Sequence, residues 1–68
     1  MIVVVNEKQV EVDEQTTVAA LLESLGFPDR GVAVAVQSSV LPRSAWHTRV
    51  SELAAPVRLE VLTAVQGG

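Results

Sequence analysis

One stretch of the chain has helical periodicity, and nearly everything around it alternates. In "TTVAALLESLGFP", Val18, Leu21, Leu22 and Leu25 fall at i, i+3, i+4 and i+7, a single apolar stripe along one helix face. Thr17 stands where a hydroxyl can accept from an orphan N–H of the first turn. Ala20 occupies the position at which a glutamate would complete a capping box, so the local cap is half built. Gly26 suits the left-handed position after the last turn, with Phe27 placed to pack back on Leu22, and Pro28 forbids continuation. A lone helix with one apolar stripe needs a sheet face to cover.

The flanking segments supply that sheet. "IVVVNEKQVEV" reads as a hairpin, with Asn6-Glu7-Lys8 between two β-branched runs. Asparagine tolerates positive φ, although the usual following glycine is absent. Val10 and Val12 alternate with Gln9 and Glu11, whereas the first run is apolar on both faces, as a central strand is. Gly31 to Gln37 reads as a third strand, Ser38-Ser39 as a turn, and Val40-Leu41 as a short edge segment limited by Pro42. Arg43 to His47 reads as one helical or 3₁₀ turn. After Pro56, Val57, Leu59 and Val61 alternate with Arg58 and Glu60.

Sixty-eight residues allow one domain. A chain of that size buries only about 60% of its unfolded surface, so stability is tight. It has no cysteine and one histidine, which excludes disulfides and iron–sulfur ligation and leaves no basis for a zinc site. At 49% hydrophobic with one Trp and one Phe, the core must be aliphatic. A net charge of −3 is the wrong sign for nucleic acid, and the opening apolar run is too short for a signal or a membrane span. The chain reads as cytoplasmic.

The strand–strand–helix–strand–strand order resembles that of ubiquitin-like domains. The expectation is an α+β, β-grasp fold with a mixed four- to five-stranded sheet and one main helix on one face. Residues 1–63 form the domain and 64–68 a flexible tail ending in Gly67-Gly68. A terminal glycine pair arises by chance in roughly 0.5% of chains, and two readings compete for it: a frayed end, or a working carboxylate. A carboxylate at pH 7 is ionised and inert towards sulfur nucleophiles, so it needs activation, for example as an acyl-adenylate. Glycines suit a narrow enzyme channel because they carry no Cβ and accept both signs of φ. On the working-carboxylate reading, Gly68 is the adenylated and sulfur-carrying residue, and Ala64, Val65, Gln66 and Gly67 are what the enzyme reads. The chain itself then supplies no catalytic residue and no metal ligand. Consistently, it has no phosphate loop and no Cys-His pair, and Asp13-Glu14 reads as a solvated turn.

At "VAVQSSVLPRSAW" and "LEVLTAVQGG" the sequence resembles the ThiS family of sulfur carriers. The marks are the Val/Ala strand, the Pro42-Arg43-Ser44-Ala45-Trp46 element and the Gly-Gly end, together with the opening strand followed by Asn6. The resemblance implies a cycle in thiamin thiazole synthesis. A ThiF/MoeB-like adenylating enzyme uses ATP and Mg to activate Gly68, a persulfide donor converts it to a thiocarboxylate, and thiazole synthase takes the sulfur. The further expectations are a monomer when free, no bound cofactor and, from the charge and the short apolar run, no nucleic acid and no membrane. The sequence departs from the family at Asn6-Glu7, Gln37 and Ala54-Ala55-Pro56, all turn positions. Trp46 has two readings, one end of the core or part of a docking patch, and Arg43 pairs either internally or across that interface. Rival functions are a carrier for molybdopterin or cysteine synthesis, a ubiquitin-like modifier, and a plain interaction module.

Overall fold

The computed structural model describes residues 1–63. Strands β1 (Ile2–Val5) and β2 (Lys8–Glu11) form the hairpin, α1 (Val18–Ser24) follows, and β3 (Val32–Val36), β4 (Ser39–Leu41) and β5 (Arg58–Thr63) complete the sheet. Two 3₁₀ turns, Arg43–Ala45 and Val50–Glu52, lie between β4 and β5. The sheet order is β2-β1-β5-β3-β4. β1 and β5 run parallel, and the other pairs are antiparallel. This is the expected β-grasp arrangement, with the last strand at the sheet centre.

Alternation decides which side of the sheet meets the helix. Val3, Val5, Val34, Leu59 and Val61 are buried together with Val18, Leu21 and Leu22 of α1. Each such aliphatic side chain contributes about 1.5–3 kcal/mol when fully removed from water. That packing sustains a seven-residue helix, which is too short to persist alone. No polar side chain is buried among the described residues.

The half-built helix cap is finished by distant backbone. Thr17 Oγ1 accepts from the Ala20 N–H at 3.1 Å. The Val18 and Ala19 N–H groups, which have no intrahelical partner, donate to the Thr48 and Trp46 carbonyls at 3.0 Å. At the other end, Gly26 takes φ 86°. The Gly26 and Phe27 N–H groups donate to Glu23 and Leu22, a complete Schellman motif. Leu25 departs from expectation. The helix ends at Ser24, so Leu25 is the C-cap and is 40% exposed rather than part of the buried stripe.

Both hairpin turns are tighter than the sequence indicates. The first contains only Asn6 and Glu7, with Lys8 already in β2, and the second contains Gln37 and Ser38, with Ser39 already in β4. All four turn residues have positive φ, at 49°, 69°, 50° and 71°. Two-residue turns with left-handed central residues match the twist of the flanking strands. Gly31 (φ 69°) and Gln37 are therefore excluded from β3. Gln37 Nε2 also donates to the Ala54 and Pro56 carbonyls at 3.2 and 3.1 Å, fastening the loop that precedes β5.

Glu7 accepts this conformation at a cost that glycine avoids. A left-handed non-glycine residue costs about 1–2 kcal/mol, part of which is offset because glycine is freer in the unfolded chain. Glu7→Gly is expected to stabilise the domain by about 0.5–1 kcal/mol, read as a Tm raised by several degrees. An unchanged or lower Tm would contradict the turn assignment.

Candidate functional site

The outward face of the sheet is where the alternating strands put what the core does not use. On β5 the outward positions are Arg58, Glu60 and Leu62, so the polar alternation breaks at the last of them. Leu62 is 68% exposed and lies opposite Ala33 of β3. One strand further on, Val40 is 76% exposed and lies opposite Ala35. A small apolar surface thus runs from the β4 edge across β3 to the end of β5. Beside it, Gly31, Val32, Ala33, Leu62 and Thr63 line a shallow groove where β5 ends.

β5 is held by β3 to its end and, on the other side, as far as Val61. On one edge it pairs with β3 as far as Val32 opposite Thr63. On the other edge, the β1 ladder stops at Val5 opposite Leu59, where the chain turns away into the hairpin. The Asn6 side chain takes over there. Its Oδ1 accepts from the Val61 N–H at 2.8 Å, and its Nδ2 donates to the Val61 carbonyl at 3.1 Å. A side-chain amide thus stands in for one more rung of backbone pairing.

Of the residues singled out in the sequence, Arg43 and Trp46 come together. Trp46 is 6% exposed and belongs to the core cluster, with Nε1 donating to the Leu41 carbonyl at 3.3 Å. The Arg43 guanidinium sits 5.0 Å from the centre of the Trp46 ring and donates to the Asp29 carbonyl. Arg43 thereby ties the loop after α1 to the 3₁₀ turn after β4. Ala64, Val65, Gln66, Gly67 and Gly68 lie outside the described residues, as does the expected tail from 64 to 68. Among the described residues, no group of three or more His, Asp or Glu side chains is placed to hold a metal ion. No helix among them is long and apolar enough to cross a membrane.

The family model described as the ThiS family matches residues 2–68. The chain belongs to the ThiS family. Among solved structures, this ThiS-family chain is similar to the crystal structure of the thiamine biosynthesis protein (ThiS) from Geobacter metallireducens. The TM-score is 0.72 at 30% identity, and the match covers 100% of each chain. A comparison with curated proteins finds no match. The family match takes in the hairpin with Asn6, the Arg43–Trp46 element, the Leu62 face and both terminal glycines.

Sequence reasoning did not single out Val40 and Leu62. A signal was available for Leu62, since it is the one apolar residue in an outward slot of an otherwise alternating strand. Val40 gave none, because a three-residue edge strand is too short to show which of its faces is wet.

Proposed function

We propose that this chain is a sulfur carrier of thiamin biosynthesis, acting as the substrate of partner enzymes through the Gly68 carboxylate. The observation that carries the reading is the family match across residues 2–68, which includes both terminal glycines. A carboxylate oxygen of Gly68 attacks the α-phosphorus of ATP in a ThiF/MoeB-like enzyme, and magnesium pyrophosphate leaves. The terminal sulfur of a donor persulfide attacks the acyl carbon, and AMP leaves. A second thiol then cleaves the S–S bond, leaving a thiocarboxylate on Gly68 and a disulfide on the donor side. Thiazole synthase receives that sulfur. The absence of cysteine in the chain leaves no internal thiol to divert the activated acyl group.

The Val40–Leu62 surface is the docking face for the adenylating enzyme on this reading, because it ends at Leu62 on β5, six positions before Gly68 in the chain. Leu62→Asp and Val40→Asp are expected to lower kcat/KM for adenylation by about tenfold or more. A docking hot spot is worth 2 kcal/mol and upward, or about thirtyfold. Because both side chains are largely exposed, Tm should stay within a few degrees. Wild-type kinetics from both variants would remove this face from the account.

The function is tested by ATP–pyrophosphate exchange with the purified adenylating enzyme, followed by transfer to thiazole synthase. The reading predicts exchange that requires the carrier, and thiazole formation that requires its thiocarboxylate. Sulfur delivery only to a molybdopterin- or cysteine-forming enzyme would reassign the pathway. Isopeptide-linked ladders without a thiocarboxylate would make the chain a protein modifier.

A further inference from the structure

We infer that Asn6 is a positioning residue for activation of the tail, a role that rests on the carrier reading above. β1 leaves the side of β5 after Leu59, and the next group that holds β5 on that edge is the Asn6 carboxamide, through both its oxygen and its nitrogen, on Val61. Thr63, two residues on, is the last residue of β5. From there the chain has five residues in which to bring Gly68 to a partner's ATP. Five residues span at most about 17 Å, so the place where β5 ends bounds the region that the carboxylate can reach. The direction in which β5 leaves the domain, relative to the docked Val40–Leu62 face, therefore governs where the carboxylate arrives.

A strand end held by β3 alone is free to twist and fray on its other edge. With the Asn6 clamp it is held on both. Loss of the clamp should leave the docking face in place and misplace the reacting group. Alignment of reacting atoms is the kind of contribution for which an error of about 1 Å costs up to about a hundredfold in rate. The two-point bond also explains why this position is not a glycine, although φ 49° would suit one.

The test is Asn6→Gly, which suits the left-handed turn and removes the side chain that carries the carboxamide. Val50→Ala is the destabilised control, since Val50 is fully buried and bonds to Thr16 beside the helix N-terminus, remote from the hairpin turn. Amide exchange at Val61 is measured first, without any partner, and should quicken at least tenfold in Asn6→Gly relative to core amides. Adenylation is then followed as pyrophosphate release with the ThiF/MoeB-like enzyme, at a temperature where all variants are folded. The expected result is kcat reduced about tenfold with KM within about threefold, and a Val50→Ala kcat equal to wild type. Faster Val61 exchange with an unchanged kcat would overturn the positioning role, as would an equal loss of kcat in Val50→Ala. If the wild-type chain itself supports no pyrophosphate release, the carrier reading fails and takes this role with it. The wild-type arm thus separates the two failures.

Discussion

Trp46→Ala is expected to remove most of the stability of this domain. The indole is 6% exposed and belongs to the buried core cluster. Its truncation costs about 3–5 kcal/mol. A domain of 68 residues has in total about 3–10 kcal/mol, so the variant should be partly or largely unfolded at 37 °C. At roughly 4–8 °C per kcal/mol for domains of this size, Tm should fall by about 12–40 °C. Two features make the loss more than a cavity. The Trp46 carbonyl accepts the Ala19 N–H at the start of α1, so a segment that shifts to fill the void uncaps the helix. The ring is also the platform for Arg43. Trp46→Phe keeps an aromatic ring but loses the pyrrole half of the indole and the Nε1 bond to Leu41, for a smaller cost of about 1–3 kcal/mol. Thermal melts of the two variants check the account. A Trp46→Ala variant with wild-type Tm and poor adenylation would instead make Trp46 a docking residue.

Gly67→Val is expected to do the opposite, leaving the fold intact and abolishing activation. Residue 67 lies outside the described residues, and the buried core cluster is built from positions between Val3 and Val61. The Tm should therefore match wild type within about a degree. A β-branched side chain next to the reacting carboxylate adds bulk where a narrow channel must admit a bare backbone, and it forbids the left-handed conformations that glycine allows. The expected loss in pyrophosphate release is at least a hundredfold. Wild-type rates in Gly67→Val would mean that the penultimate glycine plays no part in recognition.

These two variants also mark what the sequence makes legible. Periodicity is enough to place α1, the hairpin and β5, because the 3.6- and 2-residue periods are local and each ends at a clear stop such as Gly26-Phe27-Pro28 or Pro56. The β-grasp order follows from those elements. What escapes is whatever depends on groups far apart in the chain. The helix cap is completed by Trp46 and Thr48 carbonyls some thirty residues away, and the 3₁₀ turn at Val50–Glu52 has no signature stronger than a buried valine. Turn positions shift by a residue because Glu7, Gln37 and Ser38 adopt left-handed backbone without the glycine that would announce it. Leu25 continues the periodic stripe in sequence, but the helix stops before it and leaves it half in solvent.

The candidate site divides the same way. The Gly-Gly end and the Pro-Arg-x-x-Trp element stand out in the bare sequence, and the ThiS-family match covers both. The Asn6–Val61 clamp spans 55 positions and becomes visible only once β1 and β5 lie side by side. Trp46 lies buried in the core cluster, a placement its sequence context leaves open, and the exposed apolar side chains on the outward face include Val40 and Leu62.

The most direct test of the central claim is chemical labelling of the tail. The full chain is incubated with ATP, magnesium, the ThiF/MoeB-like enzyme and a sulfide or persulfide source, then treated with iodoacetamide and digested. Intact mass is a poor readout, because replacing oxygen by sulfur has nearly the same nominal mass change as oxidising Met1 or Trp46. The chain has no cysteine, so alkylation at the C-terminal peptide reports a new thiocarboxylate. The account predicts a label at Gly68 that requires ATP and is lost when Gly68 is deleted. A C-terminal peptide left unlabelled by an enzyme shown to be active would contradict it.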